Sequence, residues 1–266
     1  MTHAGYATLP GLRWSQLAHL RTSPLAYRHA LTHPRADTAS LAIGRATHLL
    51  CLQPDRLHEE IAVWSGGRRA GREWEAYQVE HAGLEIVRAE DLAEAEAMAT
   101  AVRAHQLVAP LLIGAACEVP LTWMEGGRRM KARPDAVQGR TLIELKTART
   151  IEARQLRSQC YRLGYHCQLA HYATGYEAVH GHAPERVVIV GVEKDPPHDV
   201  AVYELLADGA LYAGREERAE LLDRLTECER TDSWPGRYPE VQRLDLPAWA
   251  FAEDDDARCR LPSALR

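Results

Sequence analysis

No apolar run in this chain approaches the ~18 residues that a membrane-spanning helix needs, which excludes a helical integral membrane protein. The opening Met1-Thr2-His3-Ala4-Gly5-Tyr6 has no charged stretch leading into an apolar one, so no secretory signal is expected and the expected location is cytoplasmic. The six cysteines (Cys51, Cys117, Cys160, Cys167, Cys228, Cys259) fall at no framework spacing, and in a chain that is not exported reduced thiols are expected. An excess of positive charge is missing too: 32 Lys and Arg stand against 37 Asp and Glu, for a net −5. That excludes a generally basic nucleic-acid coat but leaves room for a local basic groove. Lysine is scarce, with Lys131, Lys146 and Lys194 the only three, so a lysine two residues after Glu144 is less easily put down to chance. Internal repeats, low-complexity segments and linkers are lacking as well. A single domain over residues 1–266 is expected, with a mostly helical part over 1–113, a sheet and motif helix over 114–206, and a C-terminal helix and tail over 207–266.

What is present is an ordinary globular composition, 46% hydrophobic and 26% charged, enough to bury a core. Residues 14–32 read as two short helices, the first capped by Ser15 and the second opened by Ser23-Pro24. An apolar helical stretch over 41–52 ends before Pro54, and its odd member is His48. A strand at 60–64, helices near 70–82 and 89–105, and a closing segment at 107–113 complete the helical part. The pattern then switches to period two: strands at 117–123 and 128–137 join through Gly126-Gly127, and the second runs through Gly139-Arg140 into 141–147. Helices at about 152–163 and 164–181, broken at Gly164, put Gln168 and Tyr172 on one face. Strands at 186–193 and 200–206, with Asp195-Pro196-Pro197 turning between them, and a helix over 208–230 follow. The tail from 231 is loop-like, and its acidic run at 253–256 reads as solvated.

The chemistry concentrates in the hairpin around Gly139-Arg140. If each glycine turn is a two-residue loop, Gln138 pairs with Thr141 and Glu125 with Arg128. Asp135 then falls opposite Glu144, and Glu118 opposite Asp135, giving a row of three carboxylates across three strands. Directly opposite residues have Cβ atoms roughly 4.5–5.5 Å apart and like charges there repel, so the row calls for a cation. Pro120 and Pro134 cannot donate to a ladder, so at least one bulge or strand end is expected within it. Alternation puts Glu144 and Lys146 on one face and Leu145 in the core. Phosphodiester hydrolysis needs neutralised phosphate oxygens, an activated water and a stabilised leaving oxygen, and bound Mg²⁺ provides all three. Magnesium prefers oxygen ligands, and Asp135, Glu144, Glu118 and the main-chain carbonyl of Leu145 form such a set, with Lys146 to orient water or stabilise developing charge. Taken alone, these residues equally suit a hairpin with an exposed polar face.

Pro134-Asp135 followed by Glu144-Leu145-Lys146 resembles the signature of the PD-(D/E)xK nucleases. Gly44-Arg45-Ala46-Thr47-His48, Glu118 and Gln168-x₃-Tyr172 are similar to its RecB-like branch. Trp14-Ser15-Gln16-Leu17 with Ser23-Pro24, Lys131-Ala132-Arg133-Pro134-Asp135, Val192-Glu193-Lys194-Asp195-Pro196-Pro197, and Trp234-Pro235-Gly236 with Leu246-Pro247-Ala248-Trp249 resemble RecE-type exonucleases, in the right order and over nearly the whole chain. The resemblance implies an α/β fold with a restriction-endonuclease-like core, a central mixed β-sheet flanked by helices on both faces. It implies metal binding by Glu118, Asp135 and Glu144 with His48 approaching, a catalytic Lys146, and Gln168 and Tyr172 lining the site or contacting the nucleic-acid backbone. It also implies Mg²⁺-dependent digestion of double-stranded DNA from 5′ ends, with Mn²⁺ able to substitute, leaving 3′ overhangs for a single-strand annealing partner, and a ring-like homo-oligomer. Glu144 departs from the aspartate commoner in RecE-type proteins but is permitted in the wider signature.

Arg128, Arg129, Lys131 and Arg133 cluster ahead of Asp135, while Arg149, Arg154, Arg157 and Arg162 follow Lys146; with Arg45 they are candidate contacts for backbone phosphates. A zinc site from Cys160, His166, Cys167 and His171 has no standard spacing, and Cys228 and Cys259 form no iron–sulfur triplet, so neither zinc nor a cluster is expected. The rival functions are a RecB-like nuclease acting on single strands or flaps, and a nuclease-fold protein that binds DNA without cutting it.

Overall fold

A computed structural model describes residues 3–33 and 38–247; the acidic run at 253–256 and the Ala248-Trp249 motif residues lie outside them. The first half is largely helical: α1 (His3–Thr8), α2 (Trp14–Leu17), α3 (Pro24–Thr32), α4 (Ala39–Leu52) and α5 (Leu57–Glu60) precede β1 (Ile61–Trp64), α6 (Arg72–Glu80), β2 (Glu85–Arg88), α7 (Ala89–Ala104) and α8 (Ala109–Leu112). Then come β3 (Ala116–Cys117), β4 (Leu121–Glu125), β5 (Arg128–Ala132), β6 (Ala136–Gln138) and β7 (Thr141–Ala148). The last elements among the described residues are α9 (Ala153–Leu163), α10 (Tyr165–His180), β8 (Arg186–Glu193), β9 (Val200–Glu204) and α11 (Ala210–Thr231). Ser23 Oγ accepts from Ala26 N–H at 3.0 Å and caps α3 as expected. Ser15 caps nothing: it lies inside α2, where Gln16 Oε1 reaches back to the Arg13 N–H at 3.3 Å.

Five strands make the central sheet in the order β3-β6-β7-β8-β9, with β7 and β8 parallel and the other neighbours antiparallel. β7 and β8 are buried on both faces, which is why they read as near-continuous apolar runs. Leu142, Val187 and Ile189 face a core shared with Leu169 and Tyr176 of α10 and Leu221 and Leu225 of α11. Ile143, Leu145, Val188 and Val190 face the opposite core, built with Ile43 and Ala46 of α4 and Met98 and Val102 of α7. Helices thus cover both faces of a mixed sheet, as the α/β expectation required.

The two strands expected at 117–123 and 128–137 are each cut in two. β4 and β5 form a separate hairpin closed by Gly126-Gly127, both at positive φ (55° and 76°), while β3 and β6 belong to the central sheet. The breaks fall at Pro120 and Pro134, which lack the N–H a ladder needs. Register survives the cut: Leu121 pairs with Ala132 before it and Cys117 with Ala136 after it, the same alignment on both sides. Strand β2, parallel to β1, and helix α1 escaped sequence reading.

Close approach of α11 to α10 depends on Gly214, where an added Cβ would lie 2.4 Å from the His166 carbonyl oxygen. Gly214→Ala is expected to cost roughly 1–3 kcal/mol through the backbone shift it forces, read as a lower denaturant midpoint at unchanged slope.

Candidate active site

The break at Arg133-Pro134 bends Asp135 out of the ladder so that its carboxylate, rather than its backbone, meets β7: Oδ2 accepts the Leu145 N–H at 2.6 Å. Oδ1 lies 3.3 Å from His48 Nδ1, contributed by α4 from across the cleft. Glu118 sits at the other break with φ 55°, its N–H donating to the Asp135 carbonyl at 3.0 Å and its Oε2 receiving Arg133 Nε at 2.7 Å. Ligand atoms of His48, Glu118 and Asp135 all lie within 4.8 Å of one another.

Glu144 is 2% exposed. Its Oε1 accepts Lys146 Nζ at 2.5 Å and Gln168 Nε2 at 2.8 Å, whereas its Oε2 is buried with no hydrogen-bond partner. Gln168 also takes Lys146 Nζ on its Oε1 at 3.1 Å and donates to Tyr172 Oη at 2.9 Å. The structure therefore joins Glu144, Lys146, Gln168 and Tyr172 in one network, beside His48, Glu118 and Asp135. Tyr165, three residues before Gln168 and so on its helix face, went unnoticed in sequence; Lys146 Nζ stands 4.7 Å from its ring centroid.

Electrostatics follow from burial. Glu144 and Glu118 are each pushed up to about 7, first by burial and then by the neighbouring Asp135 charge. Burial opposes the Asp135 charge as well, but His48 and Lys146 outweigh it and hold that carboxyl below its usual range. Burial likewise opposes the charged forms of His48 and Lys146, and is outweighed by Asp135 for the first and Glu144 for the second, so both are raised. Each of the three already has a cationic neighbour, Arg133 for Glu118, Lys146 for Glu144 and His48 for Asp135. Burial and mutual repulsion nevertheless keep two of them raised, so a further cation would favour the fully ionised set. The converging group of His48, Glu118 and Asp135 does not include Glu144, whose unsatisfied buried Oε2 lies in the neighbouring network. Together they offer mainly carboxylate oxygen, which fits a hard divalent cation such as Mg²⁺ or Mn²⁺.

The basic residues divide. A cleft of about 650 Å³ is lined by Arg45, His48, Glu118, Arg133, Asp135, Lys146 and Lys194, among others. Arg45 is paired there with Glu85 through Nε at 2.6 Å. Lys131 is a correction: it is 3% exposed and spends its ammonium on the carbonyls of Tyr6, Ala7 and Leu9, so it holds α1 and is not free for phosphate. Arg128 pairs with Glu229 of α11, and Arg129, Arg149, Arg154 and Arg157 are exposed; none of these five lines the cleft.

The residues weighed for zinc are parted. His166 and Cys167 meet Glu217, which also receives Arg21 Nε at 2.6 Å, while His171 is turned to a different network. There His171 Nδ1 accepts from Arg218 Nε at 3.0 Å and its Nε2 donates to the Lys131 carbonyl at 3.0 Å. Burial first, and then Arg218, depresses its pKa to about 4. A neutral buried His171 contributes stability fully above its unfolded value near 6.5 and loses it as pH falls toward 4. Against a His171→Gln variant, wild type is expected to lose up to about 3 kcal/mol across that window, checked by denaturation at pH 7.5 and pH 4.5.

A family model described as a PDDEXK-like domain of unknown function, DUF3799, matches residues 14–246. The chain belongs to that family. Among solved structures, the DUF3799 fold seen here is shared with a provisionally assigned exonuclease from Eubacterium rectale: TM-score 0.68 at 12% identity, covering 96% of this chain and 98% of that one. At that identity the likeness speaks for the PDDEXK-like fold. A phage related exonuclease from Haemophilus somnus 129PT aligns over 86% of this chain and 99% of its own at 12% identity, with a TM-score of 0.37 too low to argue from. No curated protein matches.

Proposed function

We propose that this DUF3799 chain is a divalent-metal-dependent exodeoxyribonuclease acting on linear double-stranded DNA. The observation that carries the reading is the unsatisfied, buried Glu144 Oε2 beside Asp135 and Glu118 within a PDDEXK-like fold. Asp135, Glu144, Glu118 and the Leu145 carbonyl, together with His48, would hold the ion, Mg²⁺ or Mn²⁺. When bound, the ion supplies charge neutralisation at the scissile phosphate and lowers the pKa of water. Lys146, held by Glu144 and Gln168, aligns the attacking water and offsets negative charge growing on the phosphoryl oxygens. Gln168 and Tyr172 keep Lys146 and Glu144 in register, and exposed Arg149, Arg154 and Arg157 attract the strand. Digestion 5′→3′, leaving 3′ overhangs for a single-strand annealing partner, and a ring-like oligomer belong to the same reading.

Purified protein given linear and covalently closed circular duplex is expected to degrade the linear form alone. Blocking the 5′ end is expected to protect a strand, while blocking the 3′ end is not. Cutting of closed circles would refute the exonuclease, and protection by the 3′ block would reverse the polarity.

A further inference from the structure

The three lysines have three different surroundings. Lys131 is buried against main-chain carbonyls and Lys146 lies between Glu144 and Gln168, whereas Lys194 stands at the far end of the same cleft. It directly follows β8, and its backbone N–H donates to the Ala148 carbonyl at 2.9 Å, just past the paired ends of β7 and β8. Its ammonium donates to Ser40 Oγ in the first turn of α4. Helix α4 therefore runs the length of the cleft. Ser40 sits beside Lys194, Gly44 passes so close that an added Cβ would lie 3.4 Å from Thr147 Oγ1, and His48 meets Asp135. Between Ser40 and His48 the helix rises about 12 Å.

Charge pairing sets Lys194 apart. Of the other cations lining the cleft, Arg45 is paired with Glu85, Arg133 with Glu118 and Lys146 with Glu144. Glu59 and Glu60, acids on the same wall, are taken by Arg56. Among the described residues, Lys194 has no carboxylate partner, and its one side-chain hydrogen bond goes to a hydroxyl. An ammonium has three donors, so two remain for a ligand entering the cleft. A backbone phosphodiester supplies the missing negative charge and acceptors, and Ser40 Oγ offers it a hydroxyl donor as well.

Resting on the nuclease reading above, we propose that Lys194, with Ser40, binds a non-scissile backbone phosphate of the strand being cut. The rise of about 12 Å along α4 sets that phosphate away from the scissile bond, on another nucleotide of the same strand. Lys194 is thus a positioning residue, fixing the register of the strand over Lys146 without touching the reacting atoms.

Anisotropy titrations of a labelled linear duplex, in EDTA and over a range of salt, test this. Each neutralised phosphate adds about 0.9 to the slope of log affinity against log salt. Lys194→Ala is expected to reduce the wild-type slope by about one, Lys194→Arg to keep it, and Ser40→Ala to weaken binding without altering it, all at unchanged melting midpoint. An unchanged slope in Lys194→Ala overturns the proposal. So does a loss of affinity that appears only together with a lowered melting midpoint, since Lys194 would then merely pin α4. Wild type that binds no DNA at any salt, whether in EDTA or with Ca²⁺ present, would instead sink the nuclease reading itself.

Discussion

Lys146→Ala is expected to slow phosphodiester cleavage at least ~10²–10³-fold, the usual cost of removing one preorganised donor to developing charge. DNA affinity should change little, because this lysine, although it lines the cleft, is already engaged by Glu144 and Gln168. Truncation takes from Glu144, already pushed up to about 7, the Nζ–H and the strongest of its countercharges, so its carboxyl moves higher still. Metal affinity at neutral pH should therefore fall as well, since a ligating carboxylate must be ionised. Single-turnover cleavage separates the two effects: raising Mg²⁺ or pH restores the part due to Glu144 and leaves the part due to the missing donor. Full activity in Lys146→Ala would remove Lys146 from the chemistry.

The largest expected stability change lies away from the cleft. Arg218 is 4% exposed, and its guanidinium grips both oxygens of Glu125 at 2.8 and 2.5 Å while Nε reaches His171. Trp123 Nε1 donates to the same carboxylate at 3.0 Å. This network ties α11 and α10 to the β4–β5 hairpin. Removing one partner of a buried pair typically costs about 3–5 kcal/mol; Arg218→Ala is expected near the lower end, because the Glu125 side chain, 31% exposed, can rehydrate. For a chain of this size that corresponds to a melting point lower by roughly 6–12 °C. Arg218→Lys should recover only part of it, since an ammonium cannot span both carboxylate oxygens and His171. A loss under about 1 kcal/mol would show that the network adds little beyond a surface pair.

Much of the hairpin region was legible because its turns are short and glycine-marked. Gly126-Gly127 and Gly139-Arg140 fix the pairings Glu125 with Arg128 and Gln138 with Thr141, both present in the fold. Carrying the first register past Pro134 correctly aligned Glu118 with Asp135, whose backbones share a hydrogen bond, although the ladder itself ends there. What alternation could not reveal is that one aligned pair of strands serves two sheets, because the proline breaks turn the hairpin away without changing register. The fate of Lys131 was hidden for another reason: its partners Tyr6, Ala7 and Leu9 are more than a hundred residues away, in and beside a helix too short to show a periodicity. Tyr165 escaped, and Lys194 stood out only as a scarce lysine in the Val192–Pro197 motif without a role, since each gains meaning only from what tertiary contact puts beside it, Lys146 in one case and Ser40 in the other.

On the proposed function, the carboxylates of Asp135, Glu144 and Glu118 form a metal cradle for cutting DNA. Nucleotide release from end-labelled linear duplex, followed with Mg²⁺ and with EDTA, tests it most directly. The expected result is steady release in Mg²⁺ and none in EDTA, with Asp135→Asn inactive under both conditions. Undiminished release in EDTA, or no release from any DNA in either Mg²⁺ or Mn²⁺, would contradict the account.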